Sequence, residues 1–417
     1  MKPTKHQQKK LEEMYKWADS NKPFFVLSGS AGTGKTFITR TFLSNYNKEV
    51  MLTATTHKAV GVLAEASGSE QCRTIHSALA IKPQFRQGKT FLKQDAVRAR
   101  VNLRGNRIVV VDESSMIDRE LMKFIKEDAA NNNRKYLFIG DHCQIPPVNE
   151  EESPVFEFLD NEPLSEIIRQ GEGSPIITLA TQIRDIIETG KTEHPLQMEA
   201  SSATGSIKSL SSEEFLKAIY ETDFMLEGND DKVIAWTNSS VKQYNSMVCD
   251  SYNVKEDFVE GLQVVFNEAY IVDDEIIANN GDEGVVTSCE YNIGKNGLPY
   301  YRIGISDHIG TFKVIPNEYH ENYKTFFYNL KQEAIKNPKK WVDYYKSMEE
   351  YSDIRPRFAS SVHKAQGSTF NNVFVDLVDI QKCRYDRTRQ RLFYTAITRA
   401  KHNVYIRIPK NKNKMSF

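Results

Sequence analysis

Residues 24–46 read FFVLSGSAGTGKTFITRTFLSNY, and three kinds of segment follow one another there. FFVLS is a short apolar run of the kind that forms a buried strand. Gly29 to Thr36, GSAGTGKT, is a full G-x-x-x-x-G-K-[ST] match, and FITRTFLSNY has the spacing of an amphipathic helix. A glycine-rich turn between strand and helix lets successive amides point inward at the helix's positive end, a geometry that cradles phosphate oxygens. Gly29, Ser30, Ala31, Gly32, Thr33 and Gly34 are read as the cradle. Lys35 would reach the terminal phosphates of ATP, and Thr36 would ligate Mg²⁺. A ligand-free turn is the competing reading, and the flanking strand and helix argue against it.

Two further apolar runs stop at polar residues. RIVVVDESSM (107–116) ends a strand at Asp112-Glu113, at the edge where open α/β sheets bind ligands. Asp112 would hold the Mg²⁺ shell, and Glu113 would orient and deprotonate the attacking water. YLFIG (136–140) is the third strand, and it leads into GDHCQIPPV (140–148). Adjacent His142 and Cys143 suggest a metal or thiol site, yet they have no second ligand pair nearby and would point to opposite faces of a strand. They are read as spacers. Gln144 is the better candidate, because a neutral amide can bond a γ-phosphate and lose that bond after hydrolysis.

Composition sets the limits. A chain of 417 residues is long for one core, so two or more domains are expected. Lys+Arg and Asp+Glu both count 55, so any nucleic-acid contact must come from charge concentrated in a groove. Five scattered cysteines, none in C-x-x-C spacing, favour a reducing cytoplasm over a zinc site. No run has the length of a membrane span, and no apolar signal follows the basic N-terminus.

GSAGTGKT, DESSM, GDHCQIPPV, SSVHKAQGST (360–369) and LFYTAITRAK (392–401) occur in one order. That order resembles superfamily 1 helicases, specifically the RecD-like 5′→3′ branch (superfamily 1B), and within it the Dda helicases of T-even-type bacteriophages. The resemblance implies an α/β fold with two RecA-like parallel-sheet domains in tandem and ATP bound between them. A β-hairpin pin would be inserted in the first domain, and an SH3-like β-barrel with a helical tower in the second. By matching position, Gln7 in TKHQQKK resembles the adenine-reading glutamine and Gln144 the γ-phosphate sensor. Arg169 in LSEIIRQ and Arg399 in TAITRAK resemble the arginines of the fourth and sixth motifs, which would neutralise the transferred phosphoryl group from opposite sides. Gln366 and Gly367 resemble the fifth motif, which faces nucleotide and DNA. The implied activity is an ATP-dependent 5′→3′ DNA helicase and single-strand translocase, working as a monomer in the cytoplasm on single strands and forks. Phage replication or recombination proteins are the implied partners.

Between these motifs lie segments suited to a single strand. TATTHKAV (53–60) and TIHSAL (74–79) match the Ia and Ib motifs, making Thr55, His57, Lys58, Thr74 and His76 candidates for phosphate or base contact. Thr237 and Asn238 in IAWTNSSV, and Ser361, His363 and Lys364 in SSVHKAQ, extend the track from the other domain. Hydroxyl and amide donors suit backbone contact without base reading. For His57 and His76, a buried and satisfied side chain is the competing reading. FRQGKTF has the look of a hairpin with Gln87-Gly88 near its turn; Phe91 is the candidate pin aromatic and Phe85 the alternative, with core packing as the plain explanation for either.

The expected boundaries are 1–81 and 107–172 for the first RecA-like domain, with the pin at 82–106. The second takes 173–255 and 355–417, with barrel and tower at 256–354. In the tower, helices broken near Asn337-Pro338 carry Phe327, Trp341 and Tyr344, which could meet the pin or pack locally. Three other functions compete. A translocase that mainly strips bound proteins would use the same motor. A GTPase-like switch would want an N-K-x-D segment after a strand, and Asn21-Lys22-Pro23 precedes the P-loop. A hydrolase on His142-Cys143 lacks a ligand set and a partner base.

Overall fold

The motif-bearing strands lie side by side in a computed structural model that describes residues 2–30, 32–46, 50–67, 72–86, 89–166, 173–191, 195–254, 257–272 and 275–409. The first sheet runs, in spatial order, Phe24–Ser28, Lys135–Gly140, Ile108–Asp112, Val50–Ala54 and Cys72–Thr74, every pair parallel. Its central strands are apolar throughout because both faces are covered. Val109 and Val111 pack on one face with Tyr136, Phe138 and helix Arg119–Asn132. Ile108 and Val110 pack on the other with Leu137, helix Lys5–Asp19 and the P-loop helix Lys35–Asn45. Phe42 of that last helix is fully buried, so its truncation to Ala would cost about 3–5 kcal/mol. All five strands point their C-terminal ends the same way, which gathers the sequence motifs along one rim.

A second sheet has the order Ala359–Ser361, Lys232–Ala235, Phe370–Asp376, Ala400–Arg407, Gly205–Leu210 and Ala200–Ser202. It is parallel except for its last pair. The two sheets make the tandem RecA-like α/β architecture. One face of the second sheet packs Ile234, Val373, Val375 and Val404 under helices Pro175–Thr189 and Asp386–Ile397. Cys143 and Ile145, from the loop after Lys135–Gly140 of the first domain, belong to that same cluster. The domain joint is therefore partly a shared apolar core.

Two inserts interrupt this scheme. Strands Ile81–Arg86 and Lys89–Gln94 form an antiparallel hairpin in the first domain. In the second, Thr311–Val314, Pro299–Ile305, Glu283–Ile293, Gln263–Phe266 and Ile354–Pro356 form a five-stranded antiparallel sheet. It shares its core with the second domain through Val264, Ile303, Phe312 and Phe374. Among the described residues no ladder closes it into a barrel; Ser352 N donates to Lys313 O at 2.8 Å, bringing the two edges together at one point. Helices His320–Lys336 and Trp341–Glu349 rise from this sheet and break at Pro338–Lys340, where the Asn-Pro pair stops the first one. No described helix is long and apolar enough to cross a membrane.

Candidate functional site

The P-loop is closed by its own neighbours. Gly34 has φ +83°, and a Cβ there would stand 2.4 Å from Gln7 Nε2. Only glycine both adopts that backbone and admits Gln7. The Gln7 amide donates to Thr33 O at 3.3 Å, while its backbone N donates to Thr4 Oγ1 in the capping box that starts helix Lys5–Asp19. Gln7 is thus buried against the loop, where an adenine-reading residue would stand. Lys35 Nζ donates to Gly29 O at 2.6 Å and Ser30 O at 3.0 Å, so the ammonium rests on the loop it would leave for phosphate. Thr36 is exposed in the first turn of the helix. Ala31 lies outside the described residues.

Asp112 and Glu113 stand at the end of strand Ile108–Asp112. Burial, and then the neighbouring Glu113 carboxylate, push the Asp112 carboxyl up to about 6, with Lys35 pulling the other way. Two adjacent half-buried carboxylates at a strand end fit a divalent cation, which Asp112 and Thr36 would hold. Glu113 has φ +51°, unusual for a residue with a Cβ. Its carbonyl accepts the Thr55 hydroxyl at 3.3 Å, which ties the strand-track segment to the acidic motif. Gly367 of the second domain packs here as well: at φ +72°, a Cβ on it would lie 3.3 Å from Thr56 Oγ1 and 3.8 Å from Glu113 Cγ.

The GDHCQI stretch is the domain joint, and the spacer reading of His142 and Cys143 needs correction. Glu188 of the second domain can only accept, so His142 Nε2 donates to it at 3.0 Å, and Nδ1 shares a hydrogen bond with the Ser28 hydroxyl at 2.9 Å. The same contact with His142 holds the Glu188 carboxyl below its usual range. Cys143 is buried in the second domain's core, and burial drives its thiol far above the ordinary range. Ligand atoms of Asp141, His142 and Cys143 lie within 4.8 Å of one another. Each has another task, however: Asp141 accepts from Tyr394 OH at 2.6 Å and from Cys143 N at 3.0 Å. Gln144 is buried, and its Oε1 has no hydrogen-bond partner among the described residues. Directly after it the second domain grips both backbone groups of Ile145. Thr395 Oγ1 accepts from Ile145 N at 3.2 Å, and Gln366 Nε2 donates to Ile145 O at 3.0 Å.

The arginines are arranged differently from the expectation. Arg169 lies outside the described residues. Arg399 is buried and turned into its own domain, donating to Thr395 O at 3.1 Å and Ser368 O at 3.2 Å. The cation that crosses to the P-loop is Arg184, from helix Pro175–Thr189, whose guanidinium donates to Ser30 Oγ at 3.1 Å. Sequence reasoning missed Arg184 and its helix-mate Glu188, because no motif marks either.

Five of the expected strand residues, Lys58, Asn238, Ser361, His363 and Lys364, line one cavity of about 160 Å³ between the domains and the insert, with Thr56 beside them, whereas Thr55, His57, Thr74, His76, Phe91 and Thr237 do not line it. Several hydroxyls serve as helix caps there. Ser361 Oγ accepts from Lys364 N at 3.3 Å, and Thr237 Oγ1 accepts from Ser240 N and also donates to Asp379. Thr74 caps helix Ile75–Ala78, away from this cavity. Burial lowers the proton affinity of His57, His76 and His363, and of these three His363 lines the cavity. The cavity also holds Lys232, Glu283 and Arg357, which sequence reading did not single out.

Comparison with known proteins completes the picture. Residues 4–212, half of the chain, match the AAA domain model, and residues 356–406 match the UvrD-like helicase C-terminal domain. The ATP-dependent DNA helicase dda of Enterobacteria phage T4 is 28% identical, over 96% of this chain and 98% of that protein. Pif1 helicase from Candida albicans superposes with a TM-score of 0.53 at 18% identity, covering 100% of this chain and 96% of that one. Bacteroides Pif1 bound to ssDNA does so at 0.55 and 16%, covering 100% and 95%. The chain belongs to the superfamily 1B Pif1/Dda-like helicases.

In this Pif1/Dda-like chain the hairpin sets Phe91 opposite Gln84 in register, with its ring 38% exposed. The Phe85 side chain and the Gln87-Gly88 turn lie outside what is described. On the tower, Trp341 packs on Tyr344 and Tyr345 with ring centroids 5.5 and 5.6 Å apart, and Phe327 packs on Tyr323 at 5.9 Å. These aromatics cover one another within the tower, which favours the local-packing alternative.

Proposed function

We propose that this chain is an ATP-dependent 5′→3′ DNA helicase and single-strand translocase, built from the domains bounded as the sequence suggests. One observation carries the reading. The residue pair Thr55-Thr56, at the mouth of the strand track, bonds the Glu113 backbone and packs on Gly367, so nucleotide and strand sites share atoms across the domain joint. A change at one is therefore felt at the other.

In the proposed cycle Lys35 leaves Gly29 O and Ser30 O for the β- and γ-phosphates. Thr36 and Asp112 would hold Mg²⁺, whose charge offsets that of the phosphates. Glu113 accepts a proton from the water that attacks the γ-phosphorus, and the bond to the bridging oxygen breaks toward ADP. Gln144, Arg184 and a reoriented Arg399 would meet the transferred group. Closure around ATP shifts Ser361, His363 and Lys364 relative to His57 and Lys58, and release after hydrolysis gives a step. Unwinding assays on duplexes with a 5′ or a 3′ single-stranded tail test this. Activity confined to the 5′ tail is expected; activity only with the 3′ tail would remove the polarity.

A further inference from the structure

Within the strand cavity sits an anion. Glu283, from the antiparallel insert, places Oε1 2.7 Å from Lys58 Nζ and 3.7 Å from Lys232 Nζ, and Oε2 2.6 Å from an Arg357 nitrogen. A cavity lined by Lys58, Lys232, Arg357 and Lys364 has the charge of a phosphate site, and one carboxylate fills its centre. The three cations that Glu283 meets, Lys58, Lys232 and Arg357, are not equivalent. Arg357 is also held by the Gln263 side chain at 2.6 Å, and Lys232, nearly fully buried, also donates to Arg357 O at 2.5 Å and lies over the Phe370 ring at 5.1 Å. Both belong to the second domain and its insert. Lys58 comes from the first domain, is 38% exposed and, among the described residues, has only the Phe370 ring at 5.6 Å besides Glu283. It is the exchangeable partner.

We propose that Glu283 is a strand-displaceable clasp: in the free protein it stands where a strand phosphate would, tying Lys58 of the first domain to the insert of the second. A phosphodiester entering the cavity offers Lys58 the same charge with more oxygens, so Lys58 transfers to the strand and the domains come free of that tie. Helix His57–Ser67 starts directly after Thr55-Thr56, so the tie also restrains the segment that contacts Glu113. Without a strand, the domains are held from closing on ATP. This inference rests on the helicase reading above.

The test compares wild type, E283Q, K58A and the double variant for binding of a fluorescent oligo-dT and for ATP turnover without DNA. E283Q is expected to bind about fivefold more tightly at low salt, with the gap narrowing as salt rises. In the K58A background the gap should vanish, because the competing partner is gone. E283Q turnover without DNA should rise about threefold. Equal or weaker binding by a folded E283Q, or a gap that persists without Lys58, overturns the clasp. Should E283Q fold poorly, K58Q at its part-exposed position replaces it: raised turnover without DNA supports the clasp, and unchanged or lower turnover overturns it. Wild type failing to bind oligo-dT would remove the helicase reading and the clasp with it, whereas wild-type binding without a difference removes the clasp alone.

Discussion

Gln366 Nε2 donates to Ile145 O at 3.0 Å, so the fifth motif of the second domain holds the backbone one residue beyond Gln144 in the first. Both partners are buried, and an unmet carbonyl there would cost about 1–3 kcal/mol. Gln366→Ala should therefore loosen the domain joint more than the nucleotide pocket. We expect DNA-stimulated kcat to drop about tenfold with little change in turnover without DNA. Steady-state ATPase assays with and without oligo-dT check this; equal losses in both would make Gln366 a nucleotide ligand instead.

Gln144 itself offers a buried amide whose oxygen has no partner among the described residues. Gln144→Ala should leave ATP binding within about twofold of wild type and slow DNA-stimulated hydrolysis about a hundredfold. Fluorescent-nucleotide titration and single-turnover hydrolysis separate the two effects. A variant that lost nucleotide affinity would make Gln144 part of the cradle rather than a sensor.

Lys35 gives the cleanest separation of functions, because its ammonium donates to Gly29 O and Ser30 O of the P-loop and does not line the strand cavity. Lys35→Ala should lower ATP hydrolysis by at least about a thousandfold while oligo-dT affinity stays near wild type. Retained turnover would refute the site.

These predictions also mark what could be read from sequence. Gly29 to Thr36, Asp112-Glu113 and Gln144 were legible because each sits in a contiguous strand-end motif whose chemistry is local. His142–Glu188, Arg184–Ser30 and Lys58–Glu283 were not, since the partners are 46, 154 and 225 residues apart and carry no periodic or motif signal. The strands of the insert could be recognised from alternation and turns. Whether they close depends on how Thr311–Val314 meets Ile354–Pro356, an approach between two edges that neither segment encodes alone.

Burial gives His363 a pH signature. Its folded ring takes a proton less readily than the ordinary value of 6.5 for a free one. Below that value the unfolded chain binds more protons, so stability falls as pH drops, by at most about 1.4 kcal/mol per pH unit for one proton. Thermal unfolding should show a lower Tm at pH 5.5 than at pH 7.5, and H363Q should reduce that drop. An identical pH dependence in H363Q would show that the ring is neutral for no reason that stability feels.

Phe91 separates a pin from a packing residue. Its strand pairs with Ile81–Arg86, and its ring is 38% exposed, more than a core phenylalanine would be. Truncation should thus cost little stability, while a ring that meets the first base pair of a fork would be missed at every step. Phe91→Ala is expected to keep DNA-stimulated ATP turnover within about twofold and to cut base pairs opened per ATP about tenfold, the loss of one or more kcal/mol of stacking per base. The two rates must be measured on the same forked substrate, so that uncoupling is read as a ratio. If the ratio is unchanged and Tm has fallen, the ring belongs to the first domain's packing, and Phe85→Ala on the facing strand becomes the variant that decides whether this hairpin separates strands.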